Sequence, residues 1–310
     1  MKIDKLFIHP IKSILPIPVS SATITPNGLQ HDRTFMLIRV DPEDGKVVNL
    51  TVKDNPELCL FQPSLSDDLT SLHVTHKSTP SCTPITIPLT PTFAAGTKTY
   101  PISICDTSTT GYDMGPEASL FFSTYLKYPA HLVHIGPSHR STIPTITPSP
   151  QHPQGISFAD VAPILLATDV SLKDVSNRAG EDFDITKFRP NIYVDTTSSG
   201  VDAYDEELWA EVEVRKDGGS GEAVRLDMTF NTPRCTSINV DYATGKAMPP
   251  EKQVYKKLMK DRRINPEHPF SPCFGKYGFC EQFGQTINVG DEIKVTKRNQ
   301  ERHVSVHQES

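Results

Sequence analysis

A mainly β protein with some helix, built as two joined β-barrel-like domains, is what this sequence predicts, and three patterns predict it. Short β-rich runs broken by turn residues fill roughly the first hundred positions, a stretch with five prolines interrupts the chain at 136–156, and further short β runs follow to the end. The expected organisation is a barrel with a trailing helix over 1–128, a proline-rich loop over 129–156, a second β-rich domain over 157–298 and a polar tail over 299–310.

Taken in order, residues 5–8, 22–24, 34–40, 46–50 and 72–74 read as strands, with turns at Pro26-Asn27-Gly28 and Asp44-Gly45, the pattern of a small antiparallel barrel. Gly111-Tyr112-Asp113-Met114-Gly115 reads as a loop leading into a helix over 117–127, where Ala118, Phe121, Phe122, Tyr125 and Leu126 share one helical face. The stretch 136–156 has no periodicity and reads as a long extended loop, a lid or docking element. Beyond it the expectations are a helix over 171–177, strands over 191–194 and 211–214, and a strand and turn over 237–245. A polar helix over 250–260, a glycine-flanked turn over 274–278, and a hairpin of 286–289 with 292–295 around Gly290-Asp291 complete the chain.

With 310 residues, 36% hydrophobic and 22% charged, the chain is long enough to bury a core without a disulfide or metal staple. Its 31 basic and 37 acidic residues leave a net charge of -6, which gives no general electrostatic reason to bind nucleic acid or anionic lipid, so any anion site must be local. Residues 1–8 read as a strand and lack the apolar stretch of a signal peptide or membrane anchor, so a cytoplasmic address is expected, with recruitment to a mitochondrial surface left open. The six cysteines include no Cys-x-x-Cys, which suits a reduced compartment.

Cys235, in Asn231-Thr232-Pro233-Arg234-Cys235-Thr236, carries the most chemical information. It has three readings: a small half-buried residue, a nucleophile that would need a base from elsewhere in the fold, or a metal ligand, which asks only for a thiolate that Arg234 helps to ionise. Four further strings set polar groups beside strand-like runs: His9-Pro10-Ile11-Lys12-Ser13, His31-Asp32-Arg33, Phe188-Arg189-Pro190-Asn191 and Phe274-Gly275-Lys276-Tyr277. Each has a plainer alternative: a solvated Lys12, an Arg33–Asp32 ion pair, an Arg189–Asp184 ion pair, and a buried Tyr277 phenol with a satisfied hydroxyl. Cys273 and Cys280 make no zinc knuckle without a second pair.

In this order, from His9 to about Lys294, the motifs resemble the MOSC family of molybdenum-cofactor proteins, and within it the amidoxime-reducing branch. The resemblance implies that Cys235, in an Arg-Cys-x-x-x-x-x-Asp frame ending at Asp241, is the single protein ligand to molybdenum. The other sulfur ligands would come from the dithiolene of a pyranopterin with a terminal phosphate, the molybdopterin of the molybdenum cofactor. It also implies that Lys12, Ser13, Arg33, Asp160, Arg189, Asn191 and Arg234 bind that cofactor and that Tyr277 lies near the metal. The chain departs from the pattern at Val161 and Ala162, where relatives tend to carry hydroxyl residues, so two polar contacts are missing.

The activity so implied is reduction of N-hydroxylated compounds, such as amidoximes and hydroxylamines, by a molybdenum centre. There is no Cys-x-x-x-x-Cys-x-x-Cys run and no flavin fingerprint, so electrons must come from a separate donor. In the eukaryotic branch of the family that donor is cytochrome b5 with its NADH-cytochrome b5 reductase. The alternative is a free-standing molybdenum-cofactor or sulfur carrier related to the C-terminal domain of molybdenum-cofactor sulfurases. A scaffold that had lost the metal would have no need for Lys12, Arg189, Asn191 and Cys235 together.

Overall fold

The computed structural model describes residues 1–143, 147, 155–218 and 222–302. Seven strands close a barrel. Lys2–Ile8 pairs antiparallel with Ile192–Asp195, which runs parallel to Ile164–Thr168; Cys273–Phe279, Val224–Pro233, Trp209–Arg215 and Glu292–Arg298 follow, and Glu292 returns to Lys2. The first strand of the chain therefore completes a barrel made otherwise from its second half. Alternation along these strands sends Ile3, Leu6, Leu166, Ile192, Val194, Val212, Leu226 and Ile293 into one shared core with fully buried Trp209.

A second, nearly closed barrel takes its strands from the first half in the order Thr99–Ile104, Thr107–Asp113, His131–His134, Phe35–Val40 and Val47–Asn49. Its open seam is bridged by the Asn49 side chain, whose Nδ2 donates to the Ser103 carbonyl at 2.7 Å. Met36, Ile38, Tyr100, Ile102, Val133 and Phe158 fill its interior. A three-stranded meander, Phe61–Leu65, Ser71–His76 and Ile85–Pro88, packs on the helix Pro116–Leu126, with Phe61 and Phe122 rings 5.1 Å apart.

Among the described residues there are three α-helices. Pro116 opens the first, where its missing N–H costs nothing, and Lys127 in a left-handed conformation ends it. The helix expected over 171–177 is longer, Asp169–Ala179, because Thr168 caps its start by accepting from the Ser171 amide and Gly180 ends it at φ 81°.

Five local expectations are corrected. Residues 250–260 do not form one helix: a 3-10 turn, Pro250–Lys252, is followed by a single turn, Tyr255–Leu258, whose Val254 and Tyr255 amides are capped by Asn239 Oδ1 at 3.0 and 3.1 Å. Thr286–Asn288 and Glu292–Arg298 are not a hairpin: the former pairs with Ser21–Thr25 and the latter with Trp209–Arg215, because Asp291 Oδ2 takes the Asn288 amide at 2.8 Å and turns the chain between sheets. Residues 274–278 lie inside the strand Cys273–Phe279, where Gly275 at φ 76° sits beside a register shift; a Cβ there would meet the Leu166 carbonyl at 2.8 Å. Gly111 to Asp113 belong to the strand Thr107–Asp113, and Ser237 to Asn239 form a 3-10 turn before the two-residue strand Val240–Asp241. The proposed lid falls partly on 144–146 and 148–154, outside the described residues; its base is pinned by an antiparallel bridge between Arg140 and Ile156.

One buried acid makes the fold sensitive to pH. Burial, and then the neighbouring Glu207, push the Glu206 carboxyl up to about 7 while Thr168 and Ser171 hydroxyls donate to its Oε2. A raised folded-state value means that the protonated form favours the fold: its stabilisation is complete below the ordinary glutamate range and lost as pH rises through about 7. Glu206→Gln is expected to unfold at higher urea than wild type at pH 8.5, by about 3 kcal/mol, and to lose that advantage at pH 5; equal differences at both pH values would refute the assignment.

Candidate functional site

A cavity of ≈ 340 Å³ opens on residues from both halves of the chain, and Lys12, Ser13, Arg33, Asp160, Arg189, Asn191, Arg234, Cys235 and Tyr277 all line it. Every residue singled out as a site candidate from the sequence is thus brought together. Leaving the first strand, the chain is stitched to the start of Phe35–Val40: the Arg33 amide donates to the His9 carbonyl at 2.8 Å, Phe35 to Pro10 at 2.9 Å, and Lys12 to Phe35 at 2.8 Å. Asn191, fully buried, ties three segments at once, accepting from the Leu165 amide at 3.1 Å and Arg33 Nη1 at 3.2 Å and donating to the Phe7 carbonyl at 3.2 Å. Ser13, Arg33 and Arg189 hold left-handed φ of 71°, 52° and 57°. Non-glycine residues resist that region, and such strain collects at sites where side-chain aim matters.

Cys235 is exposed to the cavity at the start of the 3-10 turn Thr236–Asn239, with its Sγ 3.0 Å from Ser237 Oγ. Arg234 forms the adjoining wall: its amide donates to the Pro272 carbonyl at 2.8 Å, its Nη2 to the Phe188 carbonyl at 2.6 Å, and its guanidinium lies 5.4 Å from the Phe188 ring centroid. Tyr277 reaches the cavity from Cys273–Phe279, and burial followed by the charge of Asp160 pushes its phenol well above the ordinary tyrosine range. Val161 and Ala162, in place of the expected hydroxyls, pack with Leu165, Phe230 and Tyr277 in one apolar cluster, of which Ala162, Leu165 and Tyr277 line the cavity.

The plainer readings fare differently. Lys12 is not a solvated lysine; it is 9% exposed and ion-paired to Asp160. Arg33 does pair with Asp32, whose Oδ1 in turn accepts from the His9 amide at 2.7 Å, and its Nη2 also donates to the Arg189 carbonyl at 2.9 Å. Arg189 donates to the Ile14 carbonyl at 2.7 Å, while Asp184 is engaged with the amide and hydroxyl of Thr186.

Positive charge is in surplus here: Lys12, Arg33, Lys53, Arg189 and Arg234 line the cavity against Asp54 and Asp160. The titrating groups register it. Burial, joined by the charges of Arg33 and Arg140, lowers Lys12 even though Asp160 raises it. Burial opposes ionisation of Asp160, but Lys12, Arg33 and Arg189 outweigh it and hold that carboxyl well below the usual range, even though 58% of its side chain meets solvent within the open cavity. His9 is lowered by burial and by Arg33 and Arg189. Among the described residues Arg234 Nε has no hydrogen-bond partner, and the buried Tyr242 hydroxyl lies beside the Arg189 guanidinium. Such a site fits an anion with several acceptor oxygens. Among the described residues no group of three or more His, Cys, Asp or Glu side chains is placed to hold a metal ion, so a metal on Cys235 would have to bring its other ligands with it.

Several site residues carried no sequence signal that singled them out. Thr51, Val52, Lys53 and Asp54 supply the wall from the first half of the chain, and Ser237 sits beside the thiol. Arg140, fully buried, donates to the carbonyls of Ile104 at 3.0 Å and Asp160 at 2.8 Å, to that of Ala159 and to the Thr107 hydroxyl, so it fixes the Asp160 segment against the nearly closed barrel.

Residues 1–129 match the family model described as MOSC N-terminal beta barrel domain and residues 153–294 that described as MOSC domain, which places the chain in the class of two-domain MOSC proteins. It is 30% identical over 305 residues to mitochondrial amidoxime reducing component 2 of Homo sapiens, covering 94% of this chain and 82% of that protein. With mitochondrial amidoxime-reducing component 1 of Homo sapiens the identity is 29% over 302 residues, with the same shares covered, and with component 2 of Rattus norvegicus it is 28% over 303 residues. The chain belongs to the family of the mitochondrial amidoxime-reducing components. Among its described residues no helix is long and apolar enough to cross a membrane.

Arg140→Met would leave its buried acceptors unpaired, so a loss of about 3 kcal/mol in urea unfolding is expected. A loss below about 0.5 kcal/mol would show that the guanidinium does not anchor the Asp160 segment.

Proposed function

We propose that this protein is a molybdenum-cofactor oxidoreductase that reduces N-hydroxylated compounds of the amidoxime and hydroxylamine type with electrons from a separate donor protein. The observation that carries the reading is one exposed thiol in a cationic cavity where, among the described residues, no three His, Cys, Asp or Glu side chains come together to hold a metal. The names of the relatives supply the substrate class.

When bound, the cofactor would supply a metal that accepts electrons from the donor and takes the oxygen from an N–OH group. Cys235 would ligate the metal through its thiolate. Arg189 and Arg234 would meet the terminal phosphate, and Ser13 and Lys12 would face the edge of the pterin. Asn191 and Arg33, tied to each other and to the Phe7 carbonyl, would form the floor beneath the cofactor. Asp160 is held ionised by Lys12 and its cationic neighbours, and Tyr277 is held protonated by burial, so neither is a ready proton source near neutral pH. Protons for the released water would enter from solvent through the open mouth, and the Tyr277 hydroxyl would donate a hydrogen bond to the substrate oxygen. The donor implied by the resemblance is cytochrome b5 with its NADH-dependent reductase.

Protein from a host that makes the cofactor is expected to carry near-stoichiometric molybdenum and to reduce benzamidoxime with an artificial electron donor. Cys235→Ala is expected to lose the metal and at least about a thousandfold in activity, the scale for removing an essential group. Wild-type protein without molybdenum would contradict the reading, and metal without turnover by any donor would favour the carrier.

A further inference from the structure

We propose that Ser237 is a positioning residue that sets the electron-donating strength of the metal-binding thiolate through a hydrogen bond to Cys235 Sγ. The inference rests on the reading of Cys235 as the metal ligand.

The two side chains face each other across the first residues of the Thr236–Asn239 turn, with Oγ and Sγ 3.0 Å apart, and both line the cavity. Between a thiol and an alcohol either can donate, but a thiolate has no proton, so once the sulfur is ionised only the serine can. Among the described residues the Ser237 hydroxyl has no other hydrogen-bond partner to compete for that proton.

The turn that carries it is fixed at both ends. Before it, the Arg234 amide is bound to the Pro272 carbonyl at 2.8 Å; in its second half, Ile238 is fully buried and Asn239 Oδ1 takes the Val254 and Tyr255 amides. The hydroxyl therefore needs only a side-chain rotation to stay on the sulfur. A hydrogen bond to a ligating sulfur draws electron density from it, weakens its donation to the metal and favours the reduced state, raising the reduction potential.

The test compares wild type, Ser237→Ala and Ser237→Thr, each purified with cofactor, by molybdenum per chain, redox titration and the sulfur-to-metal charge-transfer absorption. All three are expected to hold the same metal. The alanine variant is expected to have a more negative midpoint potential and a charge-transfer band at longer wavelength, while threonine restores both to wild-type values. An alanine variant with wild-type potential and absorption would overturn the inference. So would loss of molybdenum from that variant alone, which would make the hydroxyl a device for retaining the metal. Wild-type protein without molybdenum would instead overturn the ligand reading beneath it, a separate and distinguishable result.

Discussion

Closure of the seven-stranded barrel by the first strand of the chain is the constraint on which the site depends. Lys2–Ile8 lies between Ile192–Asp195 and the start of Glu292–Arg298, so the residues that leave it, His9 to Ser13, are delivered to the rim where Arg189 and Asn191 precede the neighbouring strand. Asn191 secures that junction by holding the Phe7 carbonyl, the Leu165 amide and Arg33 with one buried amide group. Residues more than 150 positions apart in sequence meet because one strand crosses between the halves, so the two barrels cannot drift apart without opening the cavity.

The cavity is assembled against electrostatic and conformational resistance. Cations are crowded until burial and mutual repulsion lower Lys12, His9 and Arg189, and three non-glycine residues are held in left-handed backbone conformations. None of this helps the fold by itself, and it is sustained by the surrounding hydrogen bonds. An anionic ligand would offset the repulsion, so binding and stability are coupled: whatever binds the folded protein stabilises it.

Much of this was legible in the sequence because its signals are local. The helix at Pro116–Leu126, expected over 117–127, announces itself by periodicity, and the site strings around Lys12, Arg33, Arg189 and Cys235 are contiguous. The rest depends on long-range pairing. The hairpin Thr99–Ile104 with Thr107–Asp113 was hidden because its turn residues, Cys105 and Asp106, both adopt left-handed φ, of 47° and 62°, without the Asn-Gly that usually marks such a turn. Gly275 reads as a turn residue until a neighbouring strand makes it a bulge. Arg140 lies in an aperiodic proline-rich stretch, and only the fold reveals that its guanidinium is fully buried against three carbonyls. Lys53 and Asp54 enter the site through the packing of the first barrel on the second, which no local pattern encodes.

The central claim is that one thiol, Cys235, holds the metal of a cofactor whose remaining contacts are the cationic wall. Anomalous diffraction at the molybdenum edge from crystals of protein made with cofactor tests it most directly. The account predicts one strong peak within bonding distance of Cys235 Sγ, with density for an organic ligand running from it toward Arg189. A peak elsewhere on the protein, or an occupied cavity with no metal at the thiol, would contradict it.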